Sequence, residues 1–313
     1  MGLRFQGPGP LLGPTPRVSI VIATWNRAPQ LSECLDSLGQ LEGPPIEVIV
    51  VNGPSTDNTE NVIERFGQGR LLQTARCNLS HSRNLGVGIA RGEFVAMIDD
   101  DARADPHWIT KLTDAFRDQR VAGVGGQVLR PNGEVEFRSG TIDLYGRATM
   151  VDSCPNRLPR LGQSVFATVM GTNCAFRTDV LKQIGLFDET FSYYHEEADV
   201  CVRLALADWK VAHAPEAVVV HCSAPGPRRR NRFDIDWKRV SASTVYFVRK
   251  HDGGGRSLLR VCLRVALSRH IEFLRWLVSG KISPVLFCRA VARTWAGVRE
   301  GARARVGEIE PLR

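Results

Sequence analysis

Runs of consecutive apolar residues alternate along the first hundred positions with stretches in which apolar residues recur every three or four. Residues 18–23 and 46–51 are β-branched runs of strand length, and each is followed by a polar turn: Thr24-Trp25-Asn26-Arg27 after the first, Asn52-Gly53-Pro54-Ser55-Thr56-Asp57 after the second. Between them Leu31, Cys34, Leu35 and Leu38 fall on one helical face, with Pro29 near the helix start, and Pro44-Pro45 ends that segment. A helix over 59–66, a short strand over 71–74 and a helix over 80–91 follow, before the apolar run 94–98. Strand–helix alternation at this spacing predicts a mostly parallel, doubly wound α/β sheet.

The middle of the chain is less regular. Strands are expected over 121–128 and 135–142, a long loop over 143–165, a strand region over 166–177 and a helix over 179–184. Residues 196–207 read as an amphipathic helix whose first turn carries Glu196, Glu197 and Asp199. Two strands, 211–214 and 217–221, close the core. Pro225-Gly226-Pro227 and the arginines after it mark a boundary, and helices are expected near 234–251, 256–279 and 283–303. The organisation is thus a lead-in over 1–16 (Gly/Pro-rich, expected to be disordered), an α/β domain over 17–224 and a helical extension over 225–313.

Charge sharpens this division. Residues 228–313 hold 20 Lys and Arg against 7 Asp and Glu, a net of +13, whereas residues 1–227 hold 21 against 26, a net of −5. The basic character belongs to the tail, so a partner for it is sought there. Eight cysteines are scattered without a CxxC pair, which points away from a zinc site or a disulfide scaffold and towards a reducing compartment. Neither a signal peptide nor an apolar stretch long enough for a membrane span is legible. A cytoplasmic protein is expected, peripheral at an inner membrane face if the tail binds lipid.

Chemistry concentrates where the third apolar run ends, in Asp99-Asp100-Asp101. Three adjacent like charges at the end of a buried strand are costly unless a cation or polar ligand meets them. Capping the helix that begins near Asp105-Pro106 would need only one of them. In open α/β sheets ligands bind outside the carboxyl ends of strands, and a hard divalent ion bridging to phosphates fits such a cluster.

These segments together resemble the family 2 glycosyltransferases, which have the GT-A fold, over about residues 17–224. The blocks that carry the resemblance are the first strand through Arg27, Val50 to Thr59, Asn78 to Gly86, the Asp triplet, Phe187-Asp188-Glu189, and Glu196-Glu197-Ala198-Asp199. The resemblance implies an inverting enzyme that moves a sugar from a nucleoside-diphosphate-sugar to a hydroxyl acceptor in cell-surface glycan or polysaccharide synthesis. It implies Asp101 as first ligand of Mn²⁺ or Mg²⁺, with Asp99 and Asp100 beside it and His221 as a further ligand. The pair Glu196-Glu197 occupies the place of the family's acidic pair, with Glu197 as general base. Thr24, Asn26 and Arg27 would face ribose and phosphate, Arg83 the nucleotide, and Gly171-Thr172-Asn173, with Gly171 and Asn173 as contacts, the sugar. Asn52 stands where members typically have Asp, and an amide oxygen there could accept from uracil or thymine, which implies a UDP- or dTDP-sugar. The acceptor would be a glycan or a lipid-linked sugar.

Other classes meet specific objections. A nucleotidyltransferase typically shows a Gly-rich phosphate loop with a nearby Lys, and none follows the first strand. A non-catalytic binder of nucleotide-sugars would not need Glu197. Nucleic-acid binding is not expected of the tail, which has few aromatics and no matching motif. Arg256, Arg260 and Arg264 are spaced four apart, with Arg275 near the same face. Leu259, Leu263, Ile271, Phe273, Leu274, Trp276 and Leu277 accompany them. That pattern suits either an anionic membrane surface or a helical lid packed on the core.

Overall fold

The fold is described by a computed structural model covering residues 5–6, 15–152, 164–191, 193–226, 229–231, 233–252 and 256–307. The expected alternation forms strands and helices in turn: β1 (Phe5–Gln6), β2 (Val18–Thr24), α1 (Ala28–Leu38), β3 (Ile46–Asn52), α2 (Thr59–Phe66), β4 (Gly69–Gln73), α3 (Leu79–Ile89) and β5 (Phe94–Ile98). Strands β4, β3, β2 and β5 lie side by side in parallel, in register Val18↔Ile46 and Val18↔Phe94. Their side chains alternate between two cores. Ile20, Ile22, Val48 and Val50 pack with Leu31 and Leu35 of α1 on one face, and Val21, Ile49 and Val51 pack with Val87 of α3 on the other. Of the lead-in, β1 pairs with β4, and the rest of residues 1–14 lies outside the described residues.

The sheet then changes direction. After β6 (Ala102–Ala104), α4 (Trp108–Asp114) and β7 (Val121–Leu129), the chain runs through β8 (Val135–Phe137), β9 (Gly140–Asp143), β10 (Ala148–Met150), β11 (Val165–Thr168) and β12 (Asn173–Arg177). The expected single strand over 135–142 is therefore two, divided at residues 138–139. The 166–177 region is likewise two strands, and the expected loop over 143–165 includes β10; residues 153–163 lie outside the described residues. Strand β12 inserts antiparallel between β5 and β7, with Asn173 opposite Ile98. This register sets Gly171 and Thr172 beside the Asp triplet. After α5 (Thr178–Gln183) and α6 (Glu196–Leu206), β13 (Lys210–His221) is one twelve-residue strand rather than two. Pro215 cannot join the ladder, and the register shifts between Ala214 and Val218 instead of breaking the strand. The end of β13 pairs His221 with Ala102, directly after Asp101.

Beyond a short pair, β14 (Arg229–Asn231) and β15 (Asp234–Ile235), three helices follow: α7 (Trp237–His251), α8 (Leu258–Val278) and α9 (Pro284–Arg303). Helix α7 packs into the α/β domain. Tyr246 and Phe247 share a core with Phe191, Ala198 and Val202 of the α6 region. Fully buried Asp199 pairs with Arg203 at 2.8 Å, with Lys250 at 2.8 Å and with His251 at 2.9 Å. Lys250 also reaches Asp188 at 2.7 Å. Helix α9 lies against α7 so closely that a Cβ at Gly297 or Gly301 would collide with the carbonyl oxygens of Lys238 and Ala242. Among the described residues no helix is long and apolar enough to cross a membrane.

Candidate active site

The carboxyl ends of β2 and β5, the start of β12, the end of β13 and the start of α6 surround one cleft of about 360 Å³, within the range of small-molecule sites. Along its floor the Asp triplet splits into three roles. Asp100 turns inward, accepting hydrogen bonds from Thr24 Oγ1 at 2.8 Å and Arg27 Nη1 at 3.0 Å. Burial raises its pKa to about 7, with the neighbouring Asp101 adding to the effect and Arg27 opposing it. Asp101 meets Arg27 Nη1 at 2.8 Å, His221 Nε2 at 3.4 Å and the backbone N–H of Ala224 at 2.8 Å. Burial opposes its charge, but these partners outweigh it and hold its pKa at about 2. Asp99 faces the cleft, accepts from Thr172 Oγ1 at 2.6 Å and lies 3.8 Å from Arg83 Nη2.

Asp99, Asp101 and His221 converge so that one ligand atom from each lies within 4.8 Å of the others. Two carboxylates and an imidazole are a donor set suited to a divalent ion such as Mn²⁺, so the residues fit a metal of that kind. The second nitrogen of His221, Nδ1, lies 3.2 Å from Glu136 Oε2, the arrangement that fixes the ring of a metal-binding histidine. Burial disfavours charge on His221, yet its hydrogen bonds to Asp101 and Glu136 raise its pKa to about 10.

Opposite this cluster, helix α6 begins at His195. Tyr194 and His195 both have left-handed backbone, at φ 80° and φ 72°. The turn delivers Glu196 and Glu197 to the cleft wall. Glu196 Oε1 accepts from Arg83 Nη1 at 3.0 Å, while its buried Oε2 has no donor among the described residues. Burial, reinforced by the charge of Glu196, pushes the Glu197 carboxyl well above the ordinary carboxylate range, against the pull of Arg83. Arg83 is itself almost fully buried and spans the two sides, with one amino group towards Asp99 and the other on Glu196.

Not every expected contact lies here. Thr24, Arg27, Arg83, Asp99, Asp100, Asp101, Gly171, Glu196, Glu197 and His221 line the cleft. Asn173 does not: its fully buried amide donates to Gln127 O and Ala217 O and accepts from Trp108 Nε1, which makes it a joint between strands rather than a sugar contact. Asn26 spends its amide oxygen on the backbone N–H of Thr56, as its left-handed φ of 52° allows. Asn52 is buried, donating to Gln73 and accepting from Ser55. Sequence reasoning missed Thr172, Trp25 and Glu136. Thr172 stood in plain view within a block already singled out, and its hydroxyl, not the Asn173 amide, reaches the acids. Trp25, in the first polar turn, also lines the cleft, where its buried indole N–H has no acceptor among the described residues. Glu136 carries no motif, and only the β7–β8 pairing brings it to His221.

Residues 19–185 match the sequence model of the family described as Glycosyl transferase family 2, more than half of the chain. The chain belongs to the family 2 glycosyltransferases. Among family relatives, an N-acetylglucosaminyl-diphospho-decaprenol L-rhamnosyltransferase of Mycobacterium tuberculosis is 25% identical over 282 residues, covering 80% of this chain and 91% of that protein. A glucosyl-dolichyl phosphate glucuronosyltransferase of Haloferax volcanii is 27% identical over 202 residues, and this match spans 60% of the chain but only 63% of the relative. In fold the chain is similar to the mannosyltransferase PcManGT from Pyrobaculum calidifontis, solved with GDP-Man and Mn²⁺, at TM-score 0.59 and 18% identity, over 92% of this chain and 85% of that one. It is also similar to S. aureus TarS 1-349 with UDP-GlcNAc, at TM-score 0.56 and 17% identity, over 88% and 79%. The GT-A fold expected from the sequence is thus the fold found. The matched segment ends before α6, so Glu196, Glu197 and His221 lie beyond it.

Proposed function

We propose that this family 2 glycosyltransferase moves a sugar, with inversion, from a nucleoside-diphosphate-sugar to a hydroxyl of a lipid-linked or glycan acceptor. The observation that carries this reading is the bridge made by Arg83, which ties an acid of the metal-type cluster to the acidic pair at the start of α6. Charge suited to a diphosphate and a carboxylate suited to a hydroxyl therefore face one small cleft. Asp101, Asp99 and His221 would hold Mn²⁺ or Mg²⁺, which when bound stabilises the charge of the departing diphosphate. Arg27 and Arg83 supply further positive charge on that side. Glu197 accepts the proton of the attacking hydroxyl, which approaches opposite the leaving group and so inverts the anomeric centre. Thr172 holds Asp99 in place, and Glu136 orients His221.

The donor is read as a UDP- or dTDP-sugar. Because the Asn52 amide is already engaged, this choice rests on the family resemblance and not on a base contact. A lipid-linked acceptor is supported by the M. tuberculosis relative, whose name specifies a decaprenol-linked substrate. Nucleoside-diphosphate release from a panel of UDP-, dTDP- and GDP-sugars, with and without Mn²⁺, tests the donor. Asp101→Ala should abolish metal-dependent donor binding while the fold survives. Full activity in EDTA, or in that variant, would remove the metal from the mechanism.

A further inference from the structure

A second cavity lies away from the cleft, under helix α8. It measures about 240 Å³ and is lined by Tyr145, Arg256, Arg260 and Arg264 over an apolar floor that includes Val248 and Val261. No carboxylate lines it. The guanidinium of Arg264 sits 3.7 Å from the centre of the Tyr145 ring and that of Arg256 at 4.2 Å, so two cations lie against one ring. Asp252 pairs with Arg256, whereas Arg260 and Arg264 have no carboxylate partner among the described residues.

The outer face of the same helix is apolar. Leu259, Leu263, Leu267, Ile271, Leu274 and Val278 recur at intervals of three or four, and all are exposed, Leu259 at 66% and Val278 at 81%. They form a single stripe about 29 Å long. The exposed positions between them include Arg260, Arg264 and Arg275. The helix has one acid, Glu272, which Arg269 neutralises at 3.0 Å. Part of the expected stripe turns inward instead: Phe273 is fully buried, and Trp276 packs on Phe233 and Trp237. Those aromatics fasten α8 to α7 and leave the aliphatic residues outside.

We propose that this face of α8 docks on an anionic lipid surface, with the aliphatic stripe in the acyl boundary and the arginine cavity holding a lipid phosphate. Charge decides the occupant. Aliphatic side chains flanked by arginines that have no carboxylate partner among the described residues complement a surface that is apolar within and anionic at its rim. A second copy of the chain would set arginine against arginine with no carboxylate between them. The inference holds whatever sugar or acceptor the cleft takes. Tyr145 is followed by Gly146, which lies against Thr244 of α7 and His195 at the start of α6.

Flotation of the full chain with vesicles tests it. Binding is expected to phosphatidylglycerol mixed into phosphatidylcholine, weakened by salt, and not to phosphatidylcholine alone. Arg260→Gln with Arg264→Gln should weaken partition about fivefold for each arginine removed. Leu263→Gln with Leu267→Gln should abolish flotation. All four sites are exposed, so unchanged thermal unfolding shows that each variant still folds. The proposal fails if the intact chain does not float with anionic vesicles, or if the double leucine variant floats as well as its parent. Complete displacement by inorganic phosphate would overturn it in favour of a free-anion site. A concentration-dependent dimer that the leucine variant dissociates would overturn it in favour of a second copy.

Discussion

In the proposed mechanism Glu197 has to be a carboxylate when the acceptor arrives, yet burial and Glu196 both favour its protonated form. The proposed base therefore works against its surroundings, and this has a sign. Lowering pH protonates the group and removes the base, so kcat/KM should fall on the acid side at a pH above the ordinary glutamate value of about 4.3. Glu197→Gln should lower turnover by about 100-fold or more and leave donor affinity nearly unchanged, measured by initial rates and by donor titration. Full activity in that variant, with Glu196→Gln inactive, would transfer the role to Glu196. Asn173 makes the opposite kind of forecast. Truncating it to Ala strands Trp108 Nε1 and two buried carbonyls, so chemical denaturation should show a loss of about 3 kcal/mol or more. The acids of the cleft were legible because three charges at the end of an apolar run have no cheap structural explanation. Asn173 was misread because a polar residue two places after a glycine looks the same in sequence whether it faces a ligand or three buried partners.

Among the elements, β2, β3 and β5 were legible because strands buried on both faces read as unbroken apolar runs. The antiparallel insertion of β12 was not, because an apolar run carries no direction. Continuity of β13 was hidden by Pro215 and Glu216, which look like a break and prove to be an irregularity in register. Helix α6 was recognised by its acidic first turn, but nothing in that turn distinguishes Asp199 from Glu196 and Glu197. Asp199 is the buried centre of an ion-pair cluster that binds α6 to α7. Its carboxyl is held below the usual range: burial opposes this, but Arg203, His251 and Lys250 prevail. The stabilisation is present above the unfolded-state pKa of about 3.9 and is lost as pH falls below it. Asp199→Asn leaves buried Arg203 and Lys250 short of their acid and should cost about 3–5 kcal/mol near neutral pH. The difference from wild type should shrink as denaturation is repeated at lower pH.

For the whole molecule, the boundary read at Pro225-Gly226-Pro227 follows charge and composition, which do not report packing. Tyr246, Phe247, Lys250 and His251 complete the core and the ion pairs of the α6 region. A chain ended at residue 226 would expose that core and leave Asp188 and Asp199 without Lys250. It should lose cooperative unfolding, read by denaturation with far-ultraviolet circular dichroism. A sharp two-state transition in the shortened protein would instead show the extension to be separable. The glycines of α9 bear on how the intact assembly moves. Where Gly297 and Gly301 bring main chain against main chain, there is no layer of side chains that could change rotamer and let one helix slip past the other. Helices α7 and α9 are thereby coupled like meshed parts, and α7 is pinned in turn to the helix that begins with Glu196. A tilt imposed on the outer helices has little slack in which to dissipate before it reaches the acidic pair.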